Sequence, residues 1–160
     1  MVNGYNGLGL YSLFRIIDSF SSECQHIVFL QVGLVDSKSM KGQEQLDKLK
    51  ENILVDLQKY KYLAEKMGLT ASCMYSIGTD VVEEVDKMIP EITTTYPGAI
   101  FIGGQLIFGG NTGLLRLLHN YTIFAIQRKL YRHGMTTIVI PIPLEIERFK
   151  SKQNLKSLIQ

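Results

Sequence analysis

The chain has 160 residues, 46% hydrophobic and 20% charged. That is the balance of one globular domain, long enough to bury about 70% of the surface its unfolded chain would expose. Lys plus Arg exceed Asp plus Glu by 17 − 15 = 2, so the net charge of +2 supplies no basic patch to draw nucleic acid.

Two cysteines, Cys24 and Cys73, are too few and too far apart for a disulfide framework or a metal knuckle, which fits a reducing compartment. No apolar run approaches the roughly 20 residues of a membrane span. The glycine-rich start lacks the basic region of a signal peptide.

Gly4-Tyr5-Asn6-Gly7-Leu8-Gly9 reads as a glycine loop opening a helix. Such a loop normally follows a strand, and only Met1–Asn3 remain to supply one. Either the natural polypeptide extends upstream or the first strand is very short. Leu8–Phe20 is helical, with Leu10, Leu13, Phe14, Ile17 and Phe20 on one face. His26–Val35 is a buried strand rich in branched residues. Asp36–Gly42 is a polar loop.

Gln43–Met67 is the clearest helix. Leu46, Leu49, Ile53, Leu57, Tyr60, Ala64 and Met67 make one apolar stripe, suited to packing on a sheet or to a coiled-coil seam. Gly68 is placed to end it. Ala71–Ile77 is the next strand. Asp80 caps a helix over Val81–Tyr96, with Glu83 three residues on as in a capping box. Pro90 should kink or divide that helix.

Ala99–Gly104 is a strand ending in two glycines, and Gln105–Gly113 a glycine-rich connection. Leu114–Gly134 is helical and Thr136–Pro143 a second buried-type strand. Helices that link continuously apolar strands are parallel crossovers. The order (β)αβαβαβαβ therefore predicts an α/β fold: a doubly wound, mainly parallel five-stranded sheet with a truncated first strand and helices on both faces. Residues 1–143 form the domain. Leu144–Gln160 is a basic tail, either an amphipathic helix or a loose end.

Ligands of open parallel sheets sit beyond the carboxyl ends of the strands, which points to the loop after Gly104; the glycine loop that opens the first helix is a second place to look. Asn3, Gly4, Tyr5, Asn6 and Gly7 in the first loop, and Gly103, Gly104, Gly110 and Gly113 in the second, are candidate ligand-binding residues. Glycine lets backbone amides approach an anion at a helix start, and it equally serves tight strand-to-helix turns. Neither loop is a Walker loop, because no Gly-Lys-Ser/Thr follows. His119, Asn120 and Thr122 form a polar cluster in an otherwise apolar helix. It either marks the true helix start, with Asn120 or Thr122 as cap, or turns donors toward a ligand.

Nucleophile and metal arrangements are not visible. Cys24 and Cys73 lack a telling His partner, and His26, His119 and His133 lack metal-ligand spacing. The carboxylates of the second and third helices read as solvated faces, and His133 beside Gly134 as a helix end. His119 is the one plausible base for an enzyme, and it has no obvious partner.

The pattern resembles the universal stress protein superfamily, and within it the soluble carboxyl-terminal domain of amino acid–polyamine–organocation permeases. The stretches that carry the resemblance are VNGYNGLGL (Val2–Leu10), IVFLQVGLVD (Ile27–Asp36), AEKMGL (Ala64–Leu69), IGTDVVEEV (Ile77–Val85) and LLHNYTIFAIQRKL (Leu117–Leu130). The last is the most specific to the permease branch. The resemblance implies a non-catalytic regulatory or assembly domain on the cytoplasmic side of the cell membrane, dimerising through Thr136–Pro143 and attached to a membrane-embedded part of the same polypeptide. The alternative is an autonomous nucleotide-binding stress protein.

Nucleotide-binding members carry Gly-x2-Gly-x9-Gly-Ser/Thr. Gly110-Asn111-Thr112-Gly113 matches its first half, but Ile123 stands where the next glycine belongs, with Phe124 after it. Those members also carry an aspartate where this chain has Asn3. The two departures remove a phosphate contact and a nucleobase or ribose contact, so no cofactor is expected and ATP is doubtful.

Overall fold

The computed structural model describes residues 1–20, 23–35, 42–107 and 113–143; for residues 106, 113–120 and 143 only the backbone is described. Four helices alternate with four strands: α1 (Gly7–Phe20), β1 (His26–Leu34), α2 (Gln43–Lys66), β2 (Thr70–Gly78), α3 (Val81–Thr95), β3 (Phe101–Ile107), α4 (Gly113–Arg132) and β4 (Thr137–Pro143). Among the described residues no helix is long and apolar enough to cross a membrane. The basic tail lies outside the described residues.

Helices α2 and α4 each return the chain to a parallel neighbour, as the crossover pattern predicts, whereas α3 joins β2 to β3, which are not paired. β1 pairs with β2 from His26–Thr70 to Leu34–Gly78, and β3 with β4 from Phe101–Thr137 to Ile107–Pro143. Among the described residues the strands make two parallel pairs, not one continuous five-stranded sheet. The short segment Met1–Val2 touches both. Val2 bridges Gln31 in parallel and donates its N–H to the Leu30 carbonyl (2.8 Å), while the Met1 amino group donates to the Ile102 carbonyl (3.0 Å). Two residues are too few to hold the pairs together as one ladder.

Successive strand side chains face opposite ways. On β1, Phe29 packs with Leu13 of α1 and with Ile53, Leu57, Tyr60 and Ala64 of α2. Leu30 and Val32 pack instead with Val85, Met88, Ile89 and Ile92 of α3 and Ile123, Ile126 and Leu130 of α4. Helices thus cover both faces. The α2 stripe is core, not a coiled-coil seam: Leu57, Tyr60 and Ala64 are fully buried among those partners.

Local signals set most of the boundaries. Asp80 caps α3, its Oδ1 accepting the Glu83 N–H at 2.9 Å. Gly68 ends α2 with φ +84°, a conformation strained for any other residue. Pro90 does not divide α3, which runs unbroken to Thr95; the Thr93 and Thr94 hydroxyls donate to carbonyls of Ile89 and Pro90 around it.

Candidate functional site

The first glycine loop is tied to its own neighbours. The Asn6 carboxamide donates to the Asn3 carbonyl (2.7 Å) and accepts the Gly9 N–H (3.0 Å), so it occupies the start of α1. An anion arriving there would have to displace it. From α2, the Tyr60 hydroxyl donates to the Gly4 carbonyl (3.1 Å). The Tyr60 ring stacks on Phe29 and meets the edge of Tyr5, over which Lys59 lies. Burial raises the Tyr60 phenol above its ordinary pKa. Asn3, Asn6 and Gly7 are exposed, and Gly4 and Tyr5 half-buried.

The second glycine group is placed differently from expectation. Gly103 and Gly104 lie inside β3, not at its end. A Cβ on Gly103 would collide with Ile123 of α4, and one on Gly104 with Ile142 of β4. Both glycines make room for isoleucines, and strand pairing with Val139 and Ile140 carries the backbone through. Gly110 lies outside the described residues. Gly113 is the first residue of α4, so the helix begins well before Asn120 and Thr122, and neither is its cap. Thr122 is half-buried; His119 and Asn120 are placed by backbone alone, within α4.

Gly103 and Gly104 border a cleft of about 490 Å³ that loop 3–7 does not line. It opens between β1 and β3, behind Met1–Val2, and Val28, Leu30, Ile102, Ile138 and Ile16 make its walls apolar. Glu23, Cys24, His26 and Tyr96 stand along it. The His26 ring is engaged elsewhere, its Nε2 2.9 Å from the Ser72 hydroxyl and its face tilted against Tyr96. Met1 is half-buried, and desolvation of its amino group lowers the pKa from 8.0 to about 6.

Two charged clusters escaped the sequence reading. Glu84, read as part of a solvated face, is buried; the Ser76 hydroxyl and Lys87 Nζ (2.5 Å) both bond its carboxylate. The Lys87 and Ser76 hydrogen bonds hold its pKa below the usual value. The Glu84–Lys87 spacing of three on a helix was the available signal. Asp86 of α3 accepts from Lys129 of α4 (2.8 Å) and lies 3.1 Å from the His133 ring, first Lys129 and then His133 drawing its pKa down. Both clusters tie elements together. No group of three or more His, Cys, Asp or Glu among the described residues is arranged to hold a metal ion.

Comparison with protein-family models, with curated proteins and with solved structures finds no match to this chain.

Proposed function

We propose that this chain is a non-catalytic regulatory and dimerisation domain on the cytosolic side of an amino-acid permease-like membrane transporter, able to sense a small ligand. The observation that carries the reading is the stretch Leu117–Leu130, LLHNYTIFAIQRKL, supported by the four other stretches between Val2 and Val85. The α/β order, with helices packed on both sides of β1, is in keeping with it. The universal stress protein-like sheet belongs to the same proposal, with Met1–Val2 as its short central strand. The dimer would form through β4.

An immunoblot of fractionated native cells tests the reading. The proposal expects a band much larger than 18.1 kDa in the membrane fraction. A soluble band at that mass would overturn it in favour of an autonomous stress protein. One feature favours that second reading: helix α1 opens directly from a glycine loop, Gly4–Gly7. Calorimetric titration with millimolar ATP decides it, and the absence of heat removes it.

A further inference from the structure

Charge is unevenly spread along the chain. Residues 92–144 contain Arg116, Arg128, Lys129 and Arg132 and no Asp or Glu, so the overall +2 is the balance of an acidic and a basic part. Helix α4 lies in the basic part. Its Ile123, Ile126 and Leu130 are buried in the core with Val85, Ile89 and Phe101. Tyr121, Phe124, Arg128, Tyr131 and Arg132 recur at steps of three and four on the opposite side. Tyr131 is 81% exposed, Tyr121 66% and Phe124 42%, and both arginines are exposed.

The Arg128 guanidinium lies 5.9 Å over the Tyr121 ring. Among the described residues neither arginine has an acidic partner, whereas Lys129 is taken by Asp86. Helix α2 also exposes a tyrosine, Tyr62, but there Lys59 pairs with Asp56 and Lys61 with Glu65, the mixed charges of a solvated face. The outer face of α4 joins exposed rings to positive charge alone.

We infer that this face of α4 docks on an anionic lipid surface. The helix axis lies in the membrane plane. The rings of Tyr121, Phe124 and Tyr131 sit at headgroup level, where one side is apolar and the other wet, and Arg128 and Arg132 meet the anionic headgroups. Tyr121–Arg132 spans about 16 Å of helix, so all five side chains reach one plane together. A nucleic acid fits this face less well, because two unpaired cations neutralise few phosphates. A second copy fits less well too, because apposed α4 faces bring like charges together. The inference concerns this face alone and does not depend on the transporter reading.

The full chain is mixed with vesicles of phosphatidylcholine alone, or with about one-third phosphatidylserine. Co-sedimentation is expected to be at least about tenfold stronger with phosphatidylserine. Arg128→Gln together with Arg132→Gln should weaken it by about tenfold or more. The chain has no tryptophan, so single replacements locate the contact. With phosphatidylserine vesicles the emission of Tyr131→Trp should move to shorter wavelength, and that of Tyr62→Trp on α2 should stay. Absent binding, equal binding to both vesicle types, or binding that survives the loss of both arginines would overturn the inference. So would an unmoved Tyr131→Trp emission in sedimenting protein, which would assign the contact to another part of the chain. Tighter binding to a single-stranded oligonucleotide than to the vesicles would overturn it in favour of a nucleic-acid partner.

Discussion

Ile123 and Gly103 are a matched pair: the isoleucine of α4 occupies the space that a side chain on β3 would need. Ile123 is a core residue, 5% exposed, where the nucleotide-binding motif of the resembled family has glycine. The two departures from expectation at this spot, a glycine inside a strand and an isoleucine in a glycine's place, have one packing cause. Gly103→Ala should destabilise by about 1–3 kcal/mol through overpacking. Ile123→Val removes the colliding methyl and by itself costs about 0.5–1.5 kcal/mol. Urea denaturation of both single variants and the double variant should show the double more stable than the sum; strict additivity would mean that the contact is relieved elsewhere.

Met1 gives a second prediction at this scale. Its amino group titrates near 8.0 when solvated and at about 6 when buried. Between those values the unfolded chain binds the proton and the folded one does not, so stability falls as pH drops through this window. Two pKa units correspond to about 2.7 kcal/mol. Acetylating Met1 should abolish this part of the pH dependence. Glu23, Cys24, His26 and Tyr96 border the same cleft and are shared by both forms, so the difference between the two stability curves isolates the amino group.

At the scale of elements, hydrophobic periodicity and caps were sufficient where the cause is local. The α2 stripe and the Asp80 cap were legible, and so was the Gly68 stop. Legibility failed where the cause is a distant partner. Gly103 and Gly104 read as a strand end because the isoleucines that require them lie on α4 and β4. Asn120 and Thr122 read as a helix start because polar residues resemble caps wherever they stand; α4 begins at Gly113. Glu84 read as solvated because its burial depends on Ser76 of β2.

That burial makes Glu84 the more consequential carboxylate of α3. Glu84→Ala would leave the Ser76 hydroxyl without its acceptor and should cost about 1–3 kcal/mol in thermal or chemical denaturation. Glu84→Gln, which keeps an acceptor, should cost less. The sign with pH is the same as for the Met1 amino group, because both groups have a lowered pKa in the folded chain. The folded carboxyl lies below its ordinary 4.5, so its contribution is complete above that value and is lost as pH falls through the lowered one. The wild type should therefore lose more stability than Glu84→Gln on acidification. Parallel losses in the two forms would assign the acid sensitivity to other groups, Asp86 among them.

For the whole molecule, the alternation of helices and strands was legible as an α/β chain with parallel pairing. The pairing of the strands two by two was not, because strand pairing is set by distant partners and not by the local pattern. The opposite edge bears on the proposed dimer. The Phe101–Thr136 bond turns the peptide groups of Ile138, Ile140 and Ile142 toward β3, so those of Thr137, Val139, Pro141 and Pro143 face outward. Two of these four positions are prolines and have no N–H to offer, a common way of limiting an exposed edge. A dimer formed by pairing β4 with its copy must therefore use the outward N–H groups of Thr137 and Val139.

Val139→Pro removes one of these donors without touching the ladder to β3. It should weaken dimerisation at least about tenfold in sedimentation equilibrium while leaving the β3–β4 pairing intact. An unchanged dimer would place the contact on side-chain faces, away from the strand edge. A wild-type chain that stays monomeric at high micromolar concentration would remove β4 as an interface altogether.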